Sequence, residues 1–139
     1  MPDQPSPDPT GAFDLSRTFV HLSPGSTATL LPDFEWSQVE AYRDRFAGDG
    51  ADGRLVCIVA QEATWDGWER HPGGEELVVL LSGRVDLVQE IGGESRTVEL
   101  RPGDAVVNPK NVWHTAIVHE PGRGLFITPG DGTEFRPLA

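Results

Sequence analysis

From Arg54 onward the chain alternates short apolar runs with breaks made of glycine, proline and asparagine. Runs over 54–61, 77–81, 84–89, 97–100, 105–107, 114–119 and 125–128 are strand-length and rich in Val, Ile and Leu. Ser82-Gly83, Gly92-Gly93, Pro102-Gly103, Pro121-Gly122 and Pro129-Gly130 separate them. Polar and apolar positions alternate in Thr97-Val98-Glu99-Leu100-Arg101, and less strictly in Arg84-Val85-Asp86-Leu87, as expected of strands with one wet face. Before Arg54 the pattern predicts a strand over 18–22, a turn over 23–26 and a strand over 27–31. Ser37-Gln38-Val39-Glu40 has the spacing of a capping box, which predicts a short helix running to about Phe46. Many short strands joined by glycine-rich turns predict an all-β sandwich or barrel with one short N-terminal helix.

A chain of 139 residues accommodates one domain, and no internal repeat divides it. Residues 1–12 hold four prolines and few hydrophobic residues, so the reading is a disordered proline-rich N-terminal tail followed by a single β-barrel domain over 13–139. The formal charge of −11, with one lysine and ten arginines, argues against nucleic acid and anionic membrane as partners. The apolar runs are strand-sized and the N-terminus lacks signal-peptide character, so the expected location is cytoplasmic. Cys57 sits inside the run Leu55-Val56-Cys57-Ile58-Val59 and reads as a small buried hydrophobe. No glycine-rich phosphate loop, G-x-S-x-G turn or cysteine pair is present. The single lysine, Lys110, lies in the loop Asn108-Pro109-Lys110-Asn111 and reads as a solvated turn residue.

The candidate chemistry lies in two segments. In Trp68-Glu69-Arg70-His71-Pro72-Gly73-Gly74-Glu75-Glu76, an extended chain turns Glu69 and His71 to one face, and the Pro-Gly-Gly bend brings Glu76 toward them at the start of an apolar strand. Glu75 is expected to face solvent. The second segment, Gly103 to His114, runs turn, strand, turn, and places a histidine at the opening of another strand.

Together these segments resemble the paired motifs of the cupins, G-x5-H-x-H-x(3,4)-E-x6-G and G-x5-P-x-G-x2-H-x3-N. His71, Glu76 and Gly83 match the first in register; Gly103, Pro109 and His114 match the second. Ala63 stands where the first motif opens with glycine and Glu69 where its first histidine is expected. Asn111 replaces the glycine of the second motif and Val118 its terminal asparagine. The resemblance implies a double-stranded β-helix, or jelly-roll, barrel and a homodimer. It also implies a divalent metal held by Glu69, His71, Glu76 and His114. Two imidazoles and two carboxylates suit Mn, Fe or Zn better than Cu(I). Glu69 is open between metal ligation and an ion pair with Arg70 or another arginine. His21 and His119 read as polar residues with hydrogen-bond partners.

Trp65, Trp68 and Trp113 flank the motifs, and with Phe126 and Tyr42 they are candidates for an apolar pocket holding a small-molecule substrate. Two functions compete. One is a metal-dependent enzyme of dioxygenase, isomerase or lyase type. The other is a non-catalytic small-molecule-binding barrel with a degenerate or empty metal site.

Overall fold

The computed structural model describes residues 11–130 and 132–138, so residues 1–10 of the expected tail lie outside the described residues. A hairpin opens the fold, β1 (Thr18–Ser23) and β2 (Thr27–Pro32). A 3-10 turn (Trp36–Gln38), helix α1 (Val39–Arg45) and a second 3-10 segment (Ala47–Asp52) follow. The β-structure then continues with β3 (Arg54–Gln61), β4 (Gly67–Arg70), β5 (Glu76–Leu80), β6 (Arg84–Ile91), β7 (Glu94–Leu100), β8 (Ala105–Asn108), β9 (Trp113–Glu120), β10 (Gly122–Pro129) and β11 (Glu134–Pro137). The hydrogen-bonded order is β2-β1-β3-β10-β5-β8 in one sheet and β11-β4-β9-β6-β7 in the other, with antiparallel pairing throughout. This is the expected all-β jelly-roll barrel with one short helix. Its strands extend up to three residues beyond the apolar runs at the hairpin ends.

The helix starts differently from expectation. Ser37 lies inside the 3-10 turn, where Gln38 Oε1 accepts from the Glu35 backbone N–H at 3.1 Å. α1 then begins at Val39 with no side-chain cap. The capping relation is therefore Glu35–Gln38 rather than Ser37–Glu40.

Strand alternation builds the interior. On β5 it buries Glu76, Val78 and Leu80; on β6 Val85, Leu87 and Gln89; on β9 His114 and Ala116. One end of the barrel is closed by Leu80, Val85, Leu87, Leu100 and Ala116. Toward the other end the same inward rows turn polar, with Glu76, Gln89 and His114 at positions that would otherwise hold more aliphatic side chains. A second apolar cluster, Phe19, Leu31, Tyr42, Leu55, Cys57, Val78 and Phe126, packs the helical segment against the larger sheet.

The motif turns have steric reasons. Gly83 has φ +86°, and a Cβ there would lie 2.5 Å from the Glu120 carbonyl oxygen where two hairpins cross. Asn111 adopts φ +64°, the left-handed conformation that asparagine tolerates well, so it serves in place of the motif's glycine. Among the described residues no helix is long and apolar enough to cross a membrane.

Candidate metal centre

Three strand pairings bring the sequence-distant residues together. Glu69 of β4 lies opposite His114 of β9, Gln89 of β6 lies opposite the same His114, and Glu76 of β5 lies opposite Asn108 of β8. His71 follows β4, just before the bend into β5, and its carbonyl accepts from the Asn111 N–H at 3.2 Å. The two motif segments are thereby tied to each other through the backbone.

Glu69, His71 and His114 each offer a donor atom, and these atoms lie within 4.8 Å of one another. Glu76 adjoins the pair of histidines: its Oε2 is 3.2 Å from His71 Nε2 and its Oε1 3.3 Å from His114 Nε2. His71, Glu76 and His114 are buried and Glu69 is half-buried. Glu75 is exposed, on the opposite side from Glu76.

The orientation of the imidazoles is informative. His114 Nδ1 lies 3.2 Å from the Val112 carbonyl oxygen, which can only accept, so this nitrogen carries the proton. In the neutral ring Nε2 then presents a lone pair. His71 Nδ1 is likewise engaged, by Thr133 Oγ1 at 2.9 Å. Neither Nε2 has a directed hydrogen-bond partner, although each is buried against a Glu76 oxygen. A buried lone pair facing a carboxylate is unfavourable unless a cation, proton or metal, stands with them.

Glu76 is held as an anion. Asn108 Nδ2 donates to its Oε1 at 2.9 Å and Thr128 Oγ1 to its Oε2 at 2.6 Å, while Gln89 Nε2 donates to Asn108 Oδ1 at 2.9 Å. The Gln89 donation orients the Asn108 amide so that its NH2 faces Glu76. Burial alone would push the Glu76 carboxyl up, but when the cation in the site is a proton on Nε2 of His114 and His71, these rings outweigh burial and hold the group well below the usual carboxylate range. Glu69 moves the other way: burial, then the negative charge of Glu76, raise its carboxyl against smaller opposing pulls from the histidines. The Glu69 carboxylate and the two Nε2 atoms within 4.8 Å of one another, with Glu76 against both imidazoles, form an electron-rich donor set that fits a divalent cation.

A cavity of about 850 Å³ adjoins Glu69, His71 and Glu76. Its walls are mostly apolar, with Leu55, Cys57, Val59, Trp65 and Phe126 from the barrel and Trp36, Val39, Tyr42 and Arg43 from the helical segment. Trp65 lines the cavity beside the site, its ring 6.1 Å from that of His114 and 6.5 Å from that of Phe126, fixed by an Nε1–H donation to Gln61 at 2.8 Å. Cys57 is buried on this wall; burial, then the Glu76 charge, push its thiol up to about 12. It is therefore a neutral thiol at ordinary pH.

Of the five residues considered for the pocket, Trp65, Phe126 and Tyr42 line this cavity. Trp68 and Trp113 stand outside it. The alternation that turns Glu69 and His114 inward turns their neighbours Trp68 and Trp113 outward. There they interleave with arginines: Arg136 lies 5.1 Å from the Trp68 ring centroid and 4.7 Å from that of Trp113, and Arg70 lies 4.5 Å from Trp113. Arg136 also pairs with Glu90 at 2.7 Å and Arg70 with Glu134 at 3.0 Å. Arg70 thus has a partner other than Glu69.

The remaining histidines have partners as expected. His21 Nδ1 meets the Tyr42 hydroxyl at 2.6 Å and its Nε2 meets Asp49 at 2.7 Å; His119 meets Asp86 at 2.8 Å. Lys110 is exposed. Sequence reasoning missed Gln89, Asn108, Thr128 and Thr133, which hold Glu76 and His71. Strand alternation could have flagged Gln89, a polar residue on the inward row of Val85 and Leu87.

Comparison with known proteins agrees with this architecture. A family model described as a cupin domain matches residues 55–128, more than half of the chain, and the chain belongs to the cupin family. No curated protein matches it in sequence. Among solved structures it is similar to a cupin-2 domain-containing protein from Shewanella frigidimarina, at 21% identity over 55% of this chain and 70% of that one, with a TM-score of 0.47. It is also similar to the oxalate decarboxylase of Bacillus subtilis, a protein with Mn(II) centres, at 21% identity over 69% of this chain and a TM-score of 0.54. The match covers 26% of the decarboxylase chain, and at this identity the likeness is one of fold. A hydroquinone 1,2-dioxygenase from Sphingomonas sp. TTNP3 is similar at 14% identity over 54% of this chain and 58% of that one, with a TM-score of 0.46.

Proposed function

We propose that this cupin binds one divalent metal ion, Mn, Fe or Zn, through His71, His114, Glu69 and Glu76, and acts on a small organic substrate held in the adjoining apolar cavity. The observation that carries this reading is the pair of buried, unpartnered Nε2 atoms converging with the Glu69 and Glu76 carboxylates beside that cavity. Two neutral imidazoles with two carboxylates balance the charge of a divalent ion. Such an ion would supply Lewis acidity or, if iron, access to dioxygen chemistry. The chain's own residues supply the rest: Asn108 and Thr128 hold Glu76 ionised, Trp65 and Phe126 form an aromatic wall, and the helical segment covers the cavity. A dioxygenase, isomerase or lyase activity fits this arrangement.

One observation favours a second reading, a small-molecule-binding barrel without a catalytic metal. Both oxygens of Glu76 already have donors, Asn108 and Thr128, so the carboxylate has partners with no ion bound. Elemental analysis of protein purified without chelator, followed by reloading of stripped protein, separates the two. Near-stoichiometric Mn, Fe or Zn, lost in His71→Ala, supports the metal reading. Protein that is metal-free as purified and cannot be loaded contradicts it. The proposal includes a cytoplasmic homodimer, for which the two edge strands of the larger sheet, β2 and β8, offer unpaired backbone and Val107 on β8 is 47% exposed. Sedimentation of the full chain tests the dimer.

A further inference from the structure

The last strand, β11, lies outside the segment that matches the cupin family, residues 55–128. It adds to β4 at the edge of the smaller sheet, pairing Phe135 with Glu69 and Arg136 with Trp68. Gly67 of β4 is packed so closely that a Cβ there would lie 3.1 Å from the Arg136 carbonyl oxygen. On the outer face Arg136 sits against Trp68 and Trp113 and pairs with Glu90, while Glu134 pairs with Arg70. The strand is therefore fastened by its side chains as well as by its backbone. What that fastening delivers to the interior is Thr133, the residue immediately before β11, whose Oγ1 lies 2.9 Å from His71 Nδ1.

We propose that Thr133 is the positioning residue of the metal-binding His71, and that β11 serves to hold it there. This inference rests on the metal reading above. For Nε2 of His71 to face a metal as a lone pair, Nδ1 must carry the proton and needs an acceptor. Among the described residues Thr133 Oγ1 is the partner of that nitrogen. His114 has the Val112 carbonyl for the same purpose, so the two rings are set in one tautomer by two unrelated devices, one a backbone oxygen and one a side chain. The side-chain device alone can be removed by substitution.

The test is titration of the chelator-stripped full chain with Co(II), following affinity by calorimetry and ligand field by visible absorbance. Loss of an orienting partner of a metal-bound histidine typically weakens affinity about 10- to 100-fold, so Thr133→Val is expected to raise the Kd about tenfold or more and to shift the Co(II) bands. Thr133→Ser keeps the oxygen and is expected to restore both. The metal-free Thr133→Val protein should lose no more melting temperature than one lost hydrogen bond accounts for, and metal-free Thr133→Ser should melt like wild type. Wild-type affinity and spectrum in Thr133→Val would overturn this inference while leaving the metal reading intact. Equal weakening in the valine and serine variants, in step with lost melting temperature, would also overturn it by showing a merely structural role. If wild type binds no Co(II), the metal reading falls and this inference with it.

Discussion

Asn108 is the residue through which the support of Glu76 can be measured. It is 1% exposed, donates to Glu76 Oε1 at 2.9 Å and accepts from Gln89 at 2.9 Å. Asn108→Ala removes a donor from a buried carboxylate and one of the two acceptors of Gln89 Nε2, the other being the Val107 carbonyl. A hydrogen bond to a charged group contributes about 1.5–3 kcal/mol and a neutral one about 1, so the metal-free variant should lose about 2.5–4 kcal/mol. Asn108→Asp separates donation from volume. The aspartate still accepts from Gln89 but faces Glu76 with an acceptor, leaving two buried carboxylates in contact. At pH 7 it should be at least as unstable as the alanine variant.

The pH dependence gives the sign. In Asn108→Asp the carboxyl pair has a raised folded-state pKa, so stability is regained as pH falls and one proton is shared, and is lost as pH rises. In wild type Glu76 is held below its ordinary value of 4.5, so its contribution is complete above that pH and drains away on acidification. Urea unfolding of chelator-treated protein at pH 5 and pH 7.5 should therefore show a smaller gap between wild type and Asn108→Asp at the lower pH. Asn108→Asp within about 0.5 kcal/mol of wild type at pH 7.5 would refute the donor role, since that is the range of uninvolved surface substitutions.

Three further outcomes follow from the geometry. Tyr42→Phe strips His21 Nδ1 of its 2.6 Å partner and should cost about 1–3 kcal/mol in thermal or urea unfolding; an unchanged midpoint would mean that the contact contributes nothing. The Cys57 thiol, pushed up to about 12 by burial and then by the Glu76 charge, should resist a disulfide reagent at pH 8 in the native protein and react at once in urea, whereas fast native labelling would contradict its buried placement. Gly122→Ala would drive a Cβ into the Ser82 carbonyl, backbone against backbone, and should destabilise by about 3 kcal/mol or more; a variant that melts like wild type would show that the crossing of the two hairpins can open freely.

Much of the barrel is legible in the alternation of the chain, because the buried Val78, Leu87 and Ala116 stand two positions from Glu76, Gln89 and His114. The same rule, applied consistently, would have kept Trp68 and Trp113 out of the cavity, since each neighbours an inward-facing site residue. β11 is hard to see in sequence because Glu134-Phe135-Arg136-Pro137 carries one hydrophobic residue and its attachment comes from arginine–tryptophan contacts. The bonds from Asn108 to Glu76 and from Thr133 to His71 join residues 32 and 62 positions apart, and only the strand registers bring them within reach. Helix α1 is visible in outline. Its start is not, because two adjacent polar pairs, Glu35–Gln38 and Ser37–Glu40, both have capping spacing and only packing chooses between them.

The central claim is that His71, His114, Glu69 and Glu76 surround one cation site. Anomalous diffraction from crystals soaked in Mn(II), recorded at the manganese edge, tests it directly. The account predicts a single strong peak among these four side chains, with the Nε2 atoms of both histidines bonded to it. No peak there, or a peak only at surface carboxylates, would contradict it.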